Sequence, residues 1–375
     1  MIDILVADDS ALMRLSLERM LGYDPEINIV AFCSNGKEVL EKLKTIRPDV
    51  IALDIEMPKM NGLEVLEFIM TTNPIPVVII SSLVSEGAEE TIRALELGAI
   101  DLIEKSVLTH GNPEDLCKKI KAASHAKVLR RLSIKPTGDD MRFLRERIKN
   151  RAQNIAKEIK IRDYKPVIEL DHISLKADDQ ENKINFKPEL ILLGISTGGP
   201  ASLQKVIPEL SPSISPMIVA QHMPQGFTKS LADRLNNISK VKVKEAEDGE
   251  PLEKGKVLIA PSGFQTRVYK RISDYYVRIT DEKDKNHLYK PCIDILFSSA
   301  ANLYPKSVLG IIMTGMGNDG TKGCIDIHNS EGKVFVQSEE TCVIPTMPNS
   351  VIKAGIVDRI YSLEYMSKAL NTLFL

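Results

Sequence analysis

A hydroxyl, an imidazole and a carboxylate stand in three short segments of the second half of the chain, each close behind an apolar run. Ser196 lies in Gly194-Ile195-Ser196-Thr197-Gly198-Gly199, His222 in Ala220-Gln221-His222-Met223-Pro224, and Asp319 in Thr314-Gly315-Met316-Gly317-Asn318-Asp319-Gly320. This combination of residue types makes a nucleophile, a general base and a group that orients the base. Ser196 Oγ would attack an acyl carbon while His222 removes its proton. Asp319 would fix the imidazole tautomer and stabilise the imidazolium. Backbone N–H groups at Thr197 and Met316 would bind the oxyanion. Gly315, Gly317 and Gly320 lack a Cβ, so other segments can approach that turn closely and its carboxylate can face a partner instead of water.

Other chemistries fit parts of this pattern. Gly194-x-Ser196-x-Gly198 matches a nucleophile elbow, but a glycine-rich strand–turn–helix also cradles phosphate. Gly315-x-Gly317-x-x-Gly320 matches a dinucleotide fingerprint, with Glu339 and Glu340 at about the ~20-residue spacing that motif requires. Against it, Asp319 sets a negative charge where a pyrophosphate would bind. The order Ser, His, Asp excludes the α/β-hydrolase fold, whose order is Ser, Asp, His, without excluding the chemistry.

A second constellation lies in the first half. One apolar run ends in Asp8-Asp9, a later one in Asp54, the next in Ser81, and a fifth leads into Lys105. Converging carboxylates repel one another unless a cation joins them, and Mg²⁺ suits a small oxygen-ligand site that keeps waters and awaits a phosphate. Asp54 is then a candidate nucleophile for a phosphoryl group. The Ser81 hydroxyl and the Lys105 ammonium would pair with its oxygens.

The elements that must position these residues follow from periodicity. Apolar runs at 2–7, 27–33, 50–53, 76–80 and 100–104 alternate with amphipathic stretches. The alternation returns with strands at 190–195, 217–220, 241–243, 257–260, 308–313 and 334–336 and helices at 201–210, 228–237, 293–303 and 321–329. The expected class is α/β, with two doubly wound parallel sheets whose functional groups stand at strand carboxyl ends. The predicted division is 1–123, a connector 124–187, and 188–375. Residues 127–165 of the connector hold 13 Lys and Arg against 5 Asp and Glu. Apolar residues there recur at steps of three and four, which predicts a partly helical, basic linker. Without aromatic interleaving or a nucleic-acid motif, a solvated or packing face is expected, and no nucleic-acid partner.

Composition narrows the classes. The content of 43% hydrophobic and 27% charged residues is that of a globular chain. No apolar run approaches the ~20 residues of a membrane span. Strand-like sequence begins at Ile2, so a cytoplasmic, non-embedded protein is expected. Five scattered cysteines without a CxxC spacing point to reduced core residues.

The first half resembles the receiver domain of bacterial response regulators in Asp8-Asp9-Ser10, Asp54, Met57-Pro58-Lys59-Met60-Asn61-Gly62, Ser81 and Lys105, with Ser106 where that family usually has proline. The resemblance implies a flavodoxin-like sheet, phosphorylation of Asp54 by a chemotaxis histidine kinase, and Mg²⁺ near Asp8, Asp9 and Asp54. The second half resembles the catalytic domain of the chemotaxis protein-glutamate methylesterases, a Rossmann-like α/β domain. The resemblance runs through the Ser196, His222 and Asp319 segments and through Phe227-Thr228, Ile259-Ala260-Pro261, 291–297 and Met347-Pro348. It implies hydrolysis of γ-glutamyl methyl esters on methylated chemoreceptors and deamidation of receptor glutamines, without a cofactor for the ester chemistry. It also implies a receiver that blocks the cleft until phosphorylated. Ser262-Gly263-Phe264-Gln265-Thr266 departs from the family, which usually has a glycine and then a His-Met pair. Two further readings stay open on residues alone, namely an output domain that only binds a partner or nucleotide, and a dinucleotide-dependent oxidoreductase.

Overall fold

In a computed structural model, residues 1–82, 85–126, 128, 186–272, 274–282 and 289–374 are described. The basic connector predicted over 124–187 lies almost wholly outside them. The chain divides into two compact units, each built on its own parallel sheet.

The first sheet contains β1 (Ile2–Ala7), β2 (Ile27–Cys33), β3 (Val50–Asp54), β4 (Val77–Ser81) and β5 (Asp101–Glu104), in the order β2-β1-β3-β4-β5 with every pairing parallel. Helices cover both faces of such a sheet, so its central strands read as unbroken apolar runs. Every residue of β3 and β4 is buried. Chain order reverses direction beside β1, and the carboxyl ends of β1 and β3 flank the crevice this creates. The helix Gly62–Thr72 is fixed at its start by a capping box between Asn61 and Glu64, which satisfies backbone donors next to that crevice.

The second sheet contains β6 (Leu190–Ile195), β7 (Met217–Gln221), β8 (Lys242–Glu245) and β9 (Lys256–Ile259). An antiparallel hairpin, β10 (Gln265–Arg271) and β11 (Asp274–Thr280), stands apart from it. The sheet then resumes with β12 (Val308–Ile312), β13 (Lys333–Gln337) and β14 (Arg359–Tyr361). Its order is β14-β13-β12-β6-β7-β9-β8, again parallel throughout. One core cluster joins Leu190, Leu192, Ile218 and Leu258 of the sheet to Ile293, Leu296 and Phe297 of the helix Ile293–Ala301. β6, β7 and β12 are buried along their whole length and sit side by side. Their carboxyl ends are where the serine, histidine and aspartate segments begin.

Predicted and observed elements differ in a few places. The helix expected over 201–210 is Gly199–Val206, and the turn Ile207–Glu209 that follows contains Pro208, which has no N–H to continue the ladder. The hairpin has only Val268 and Val277 as core hydrophobics, so its strands carry no apolar run to read. β14 has no fully buried residue and offers no apolar run to read.

Candidate active site

Register places the first two catalytic candidates together. Ile195 of β6 pairs with Gln221 of β7, so Ser196 and His222 are the next residues on adjacent strands, whose backbones lie about 4.8 Å apart. The His222 N–H donates to Ile195 O at 3.0 Å, and the Ser196 N–H donates to Thr314 O at 3.0 Å. Gln221 fixes both residues, its Nε2 donating to Ser196 O at 3.0 Å and to His222 O at 2.9 Å. Two carbonyl acceptors on that nitrogen settle the amide's orientation. Glycine is required beside it, because a Cβ on Gly199 would lie 1.9 Å from Gln221 Oε1. A Cβ on Gly315 would come within 2.7 Å of Ser196 Cβ and 2.2 Å of Met347 Sδ, so the turn after β12 packs directly against the serine.

Asp319 closes the arrangement. Its Oδ2 lies 2.9 Å from His222 Nε2 and accepts the Ile293 N–H at 2.8 Å. Its Oδ1 accepts the Asp294 N–H at 3.0 Å and the Cys292 thiol at 3.2 Å. The carboxylate therefore sits on the N-terminus of the helix Ile293–Ala301, where orphan N–H groups and the helix dipole favour negative charge. Burial alone would raise this carboxyl. The His222 hydrogen bond and charge, with the two backbone donors, outweigh it and hold Asp319 down at about 2. Burial and the charge of Asp319 push the Cys292 thiol up to about 12, so Cys292 stays an S–H donor.

With Nε2 turned to Asp319, His222 Nδ1 is buried and has no hydrogen-bond partner among the described residues. This nitrogen is the lone pair left to act as base. Ser196 Oγ makes no hydrogen bond among the described contacts, to His222 or to any other group. In the turn after β12, the Gly315 N–H donates to Ile344 O at 2.9 Å and the Gly317 N–H to Thr346 Oγ1 at 3.0 Å. The Met316 N–H between them has no partner among the described residues, as an oxyanion donor requires. Thr197 is buried, and its carbonyl accepts from Thr314 Oγ1 at 3.0 Å. These bonds also weaken the dinucleotide reading, since two of the turn's N–H groups and its carboxylate are already engaged within the protein.

The first sheet gathers the second constellation. One ligand atom from each of Asp8, Asp9 and Asp54 lies within 4.8 Å of the others. Lys105 Nζ is 2.7 Å from Asp54 Oδ2 and 3.4 Å from Asp8 Oδ2. Burial raises Asp54 to about 6. The Lys105 hydrogen bond opposes this, and neighbouring Asp8 adds to it. Asp8 is raised as well, chiefly by burial, with Lys105 opposing the shift. Burial lowers Lys105, but its bonds to the two carboxylates more than compensate and keep it charged. Three clustered carboxylates against one lysine leave surplus negative charge, which fits a hard divalent cation. Ser81 ends β4, buried beside this cluster, and its carbonyl accepts the Lys105 N–H at 2.8 Å. Ser106 leaves Lys105 in place and directs its hydroxyl to Glu104.

Both halves of the chain match known protein families. A family model described as CheB methylesterase matches residues 191–370, and one described as response regulator receiver domain matches residues 4–121. A protein-glutamate methylesterase/protein-glutamine glutaminase of Desulfitobacterium hafniense is 38% identical over 98% of this chain and 96% of its own. Its namesake in Bacillus licheniformis is 39% identical over 99% and 98%.

The chain belongs to the CheB methylesterase family.

Among solved structures, the catalytic domain of the Thermotoga maritima CheB methylesterase is 39% identical, covering 50% of this chain and 99% of that one, with a TM-score of 0.48. Within the family frame, four supporting residues escaped the sequence reading. Gln221 precedes His222 and holds the carbonyls of Ser196 and His222 through its amide. Cys292 was read as a core thiol, yet it bonds the site carboxylate. Tyr289 stacks on His222, with ring centroids 4.1 Å apart. Gln265 lies in the stretch that departs from the family pattern, and it bonds both Tyr289 and Cys292. Only Gln221 had a local signal, its adjacency to the histidine. Among the described residues, no helix is long and apolar enough to cross a membrane.

Proposed function

We propose that this chain is a phosphorylation-activated protein-glutamate methylesterase and protein-glutamine glutaminase acting on chemoreceptors from the cytoplasm. The observation that carries this reading is an imidazole bonded through Nε2 to a buried carboxylate, with Nδ1 left unpartnered beside the strand end that holds Ser196. Ser196 Oγ attacks the γ-carbonyl of a glutamyl methyl ester while His222 Nδ1 takes its proton. The N–H groups of Thr197 and Met316 bind the oxyanion. The proton passes from His222 to the leaving methoxide, releasing methanol, and a water then hydrolyses the acyl-enzyme by the same base. From a glutamine, the leaving group is ammonia. Either route leaves a receptor glutamate.

Regulation belongs to the first unit. Asp54 accepts a phosphoryl group from a chemotaxis histidine kinase, and Ser81 and Lys105 pair with its oxygens. Asp8, Asp9 and Asp54 would hold Mg²⁺, which offsets phosphoryl charge when bound. In the proposed division, residues 1–123 receive the phosphoryl group, 188–375 carry the catalysis and 124–187 link them. Phosphorylation shifts a two-state population from a blocked to an open cleft, which needs the states to differ by only a few kcal/mol.

The test is methanol release from methylated receptor membranes, with and without a small phosphodonor, for the wild type, Ser196→Ala and Asp54→Ala. The phosphodonor should accelerate the wild type and leave Asp54→Ala unchanged, and Ser196→Ala should be inactive. Substantial methanol release by Ser196→Ala would overturn the reading. The partner-binding alternative predicts no turnover by any form and no labelling of Ser196 by a sulfonyl fluoride.

A further inference from the structure

We infer that Tyr289 is a positioning residue for His222 and that Gln265 holds it in place; this deepens the hydrolase reading above and rests on it. The Tyr289 ring is stacked on the imidazole, with centroids 4.1 Å apart and planes within 11° of parallel. The Nε2 bond to Asp319 secures one edge of the imidazole. A single bond at that edge does not fix the tilt of the ring plane, and a tilt would move Nδ1 relative to the strand end that holds Ser196. A parallel ring at van der Waals distance removes this freedom, because tilting the imidazole drives an edge into the tyrosine. The ring also covers one face of a base whose working nitrogen has no partner of its own. Its hydroxyl borders the turn after β12, where a Cβ on Gly317 would lie 3.9 Å from it.

Gln265 is the clamp. It opens β10 and is 1% exposed. Its Nε2 donates to Tyr289 O at 2.9 Å, and its Oε1 accepts the Cys292 N–H at 2.9 Å. One amide thus ties the residue that packs on His222 to the helix start that grips Asp319. The hairpin has no strand in the main sheet, and this clamp gives its first residue a role at the site.

The experiment uses the full chain with a phosphodonor and methylated receptor membranes, comparing Tyr289→Ala, Tyr289→Phe, Gln265→Ala and the double Ala variant. Misplacing a catalytic group by about 1 Å costs up to about 100-fold, so Tyr289→Ala should lose about 10- to 100-fold in kcat with KM little changed. Sulfonyl fluoride labelling of Ser196 should slow by the same factor, because it needs the same base and no receptor. Tyr289→Phe keeps the ring and should restore both rates to within about threefold. Gln265→Ala should give a smaller loss that does not add to that of Tyr289→Ala. A Tyr289→Ala variant with unaltered kcat and labelling, or a Tyr289→Phe variant as slow as Tyr289→Ala, overturns the inference. Additive losses overturn the clamp. A wild type that neither turns over nor labels sinks the hydrolase reading itself, so the two failures are distinguishable.

Discussion

Replacing Asp319 by asparagine tests the site most directly, because the change keeps shape and alters only charge and donor pattern. The carboxylate accepts from four donors, His222 Nε2 and the Ile293 N–H on one oxygen and the Asp294 N–H and Cys292 S–H on the other. An asparagine amide has one accepting oxygen. If that oxygen takes the Oδ2 position, its NH₂ faces the Asp294 N–H and the Cys292 thiol, and a buried N–H without an acceptor costs about 1–3 kcal/mol. If it takes the other position, its NH₂ donates to His222 Nε2. The imidazole proton must then move to Nδ1, and the base is lost. Loss of the orienting carboxylate in Ser-His-Asp sites lowers kcat by roughly 10⁴-fold. The expected result for Asp319→Asn is therefore a fall of about three to four orders of magnitude in methanol release.

The same variant has a pH signature. Asp319 is held at about 2, below the ordinary 3.8. A depressed carboxyl stabilises the fold fully above the unfolded-state value, and that stabilisation is lost as pH falls through the folded-state value. The difference is worth roughly 2 kcal/mol. Between about pH 4 and pH 2, thermal unfolding of residues 188–375 should show the wild type losing this increment and the asparagine form lacking it. The two forms should converge at the acid end. An Asp319→Asn enzyme within tenfold of wild-type activity would refute the tautomer argument, and parallel stability curves would refute the electrostatic one.

Three further outcomes follow from the proposed function and from the geometry within each unit. Deleting residues 1–187 should raise basal methanol release, and an isolated domain no faster than the unphosphorylated full chain would rule out steric blocking. Gly199→Ala drives a Cβ to 1.9 Å from Gln221 Oε1, so Gln221 must release Ser196 O and His222 O. A cost of about 1–3 kcal/mol and a fall of about 100-fold in kcat are expected, read by thermal melting and methanol release. Lys105→Ala leaves Asp54 and Asp8 without their 2.7 Å and 3.4 Å partner, so the phosphodonor should no longer accelerate the reaction. A normal stimulation ratio in that variant would exclude Lys105 from the phosphoryl site.

The framework and the candidate reacting groups are written in the sequence. Apolar runs mark β3, β6, β7 and β12, because strands buried on both faces need hydrophobic residues along their length. The candidate functional side chains Asp8, Asp54, Ser196 and His222 stand at the ends of apolar runs, which is what singles them out in the sequence. Asp319 needed only the glycine-rich turn after β12. The tertiary structure decided what each of them touches. Asp319 Oδ2 meets both His222 Nε2 and the N–H of Ile293, a helix start 26 residues before Asp319 in the chain, and neither segment's sequence records that meeting. Gln265 and Tyr289, 24 residues apart, meet because a hairpin with only two core residues folds back onto that helix. Periodicity reports which face of an element is buried. It carries no record of which distant side chain completes a hydrogen bond or stacks on a ring, since that contact exists only once the connections around the second sheet have closed.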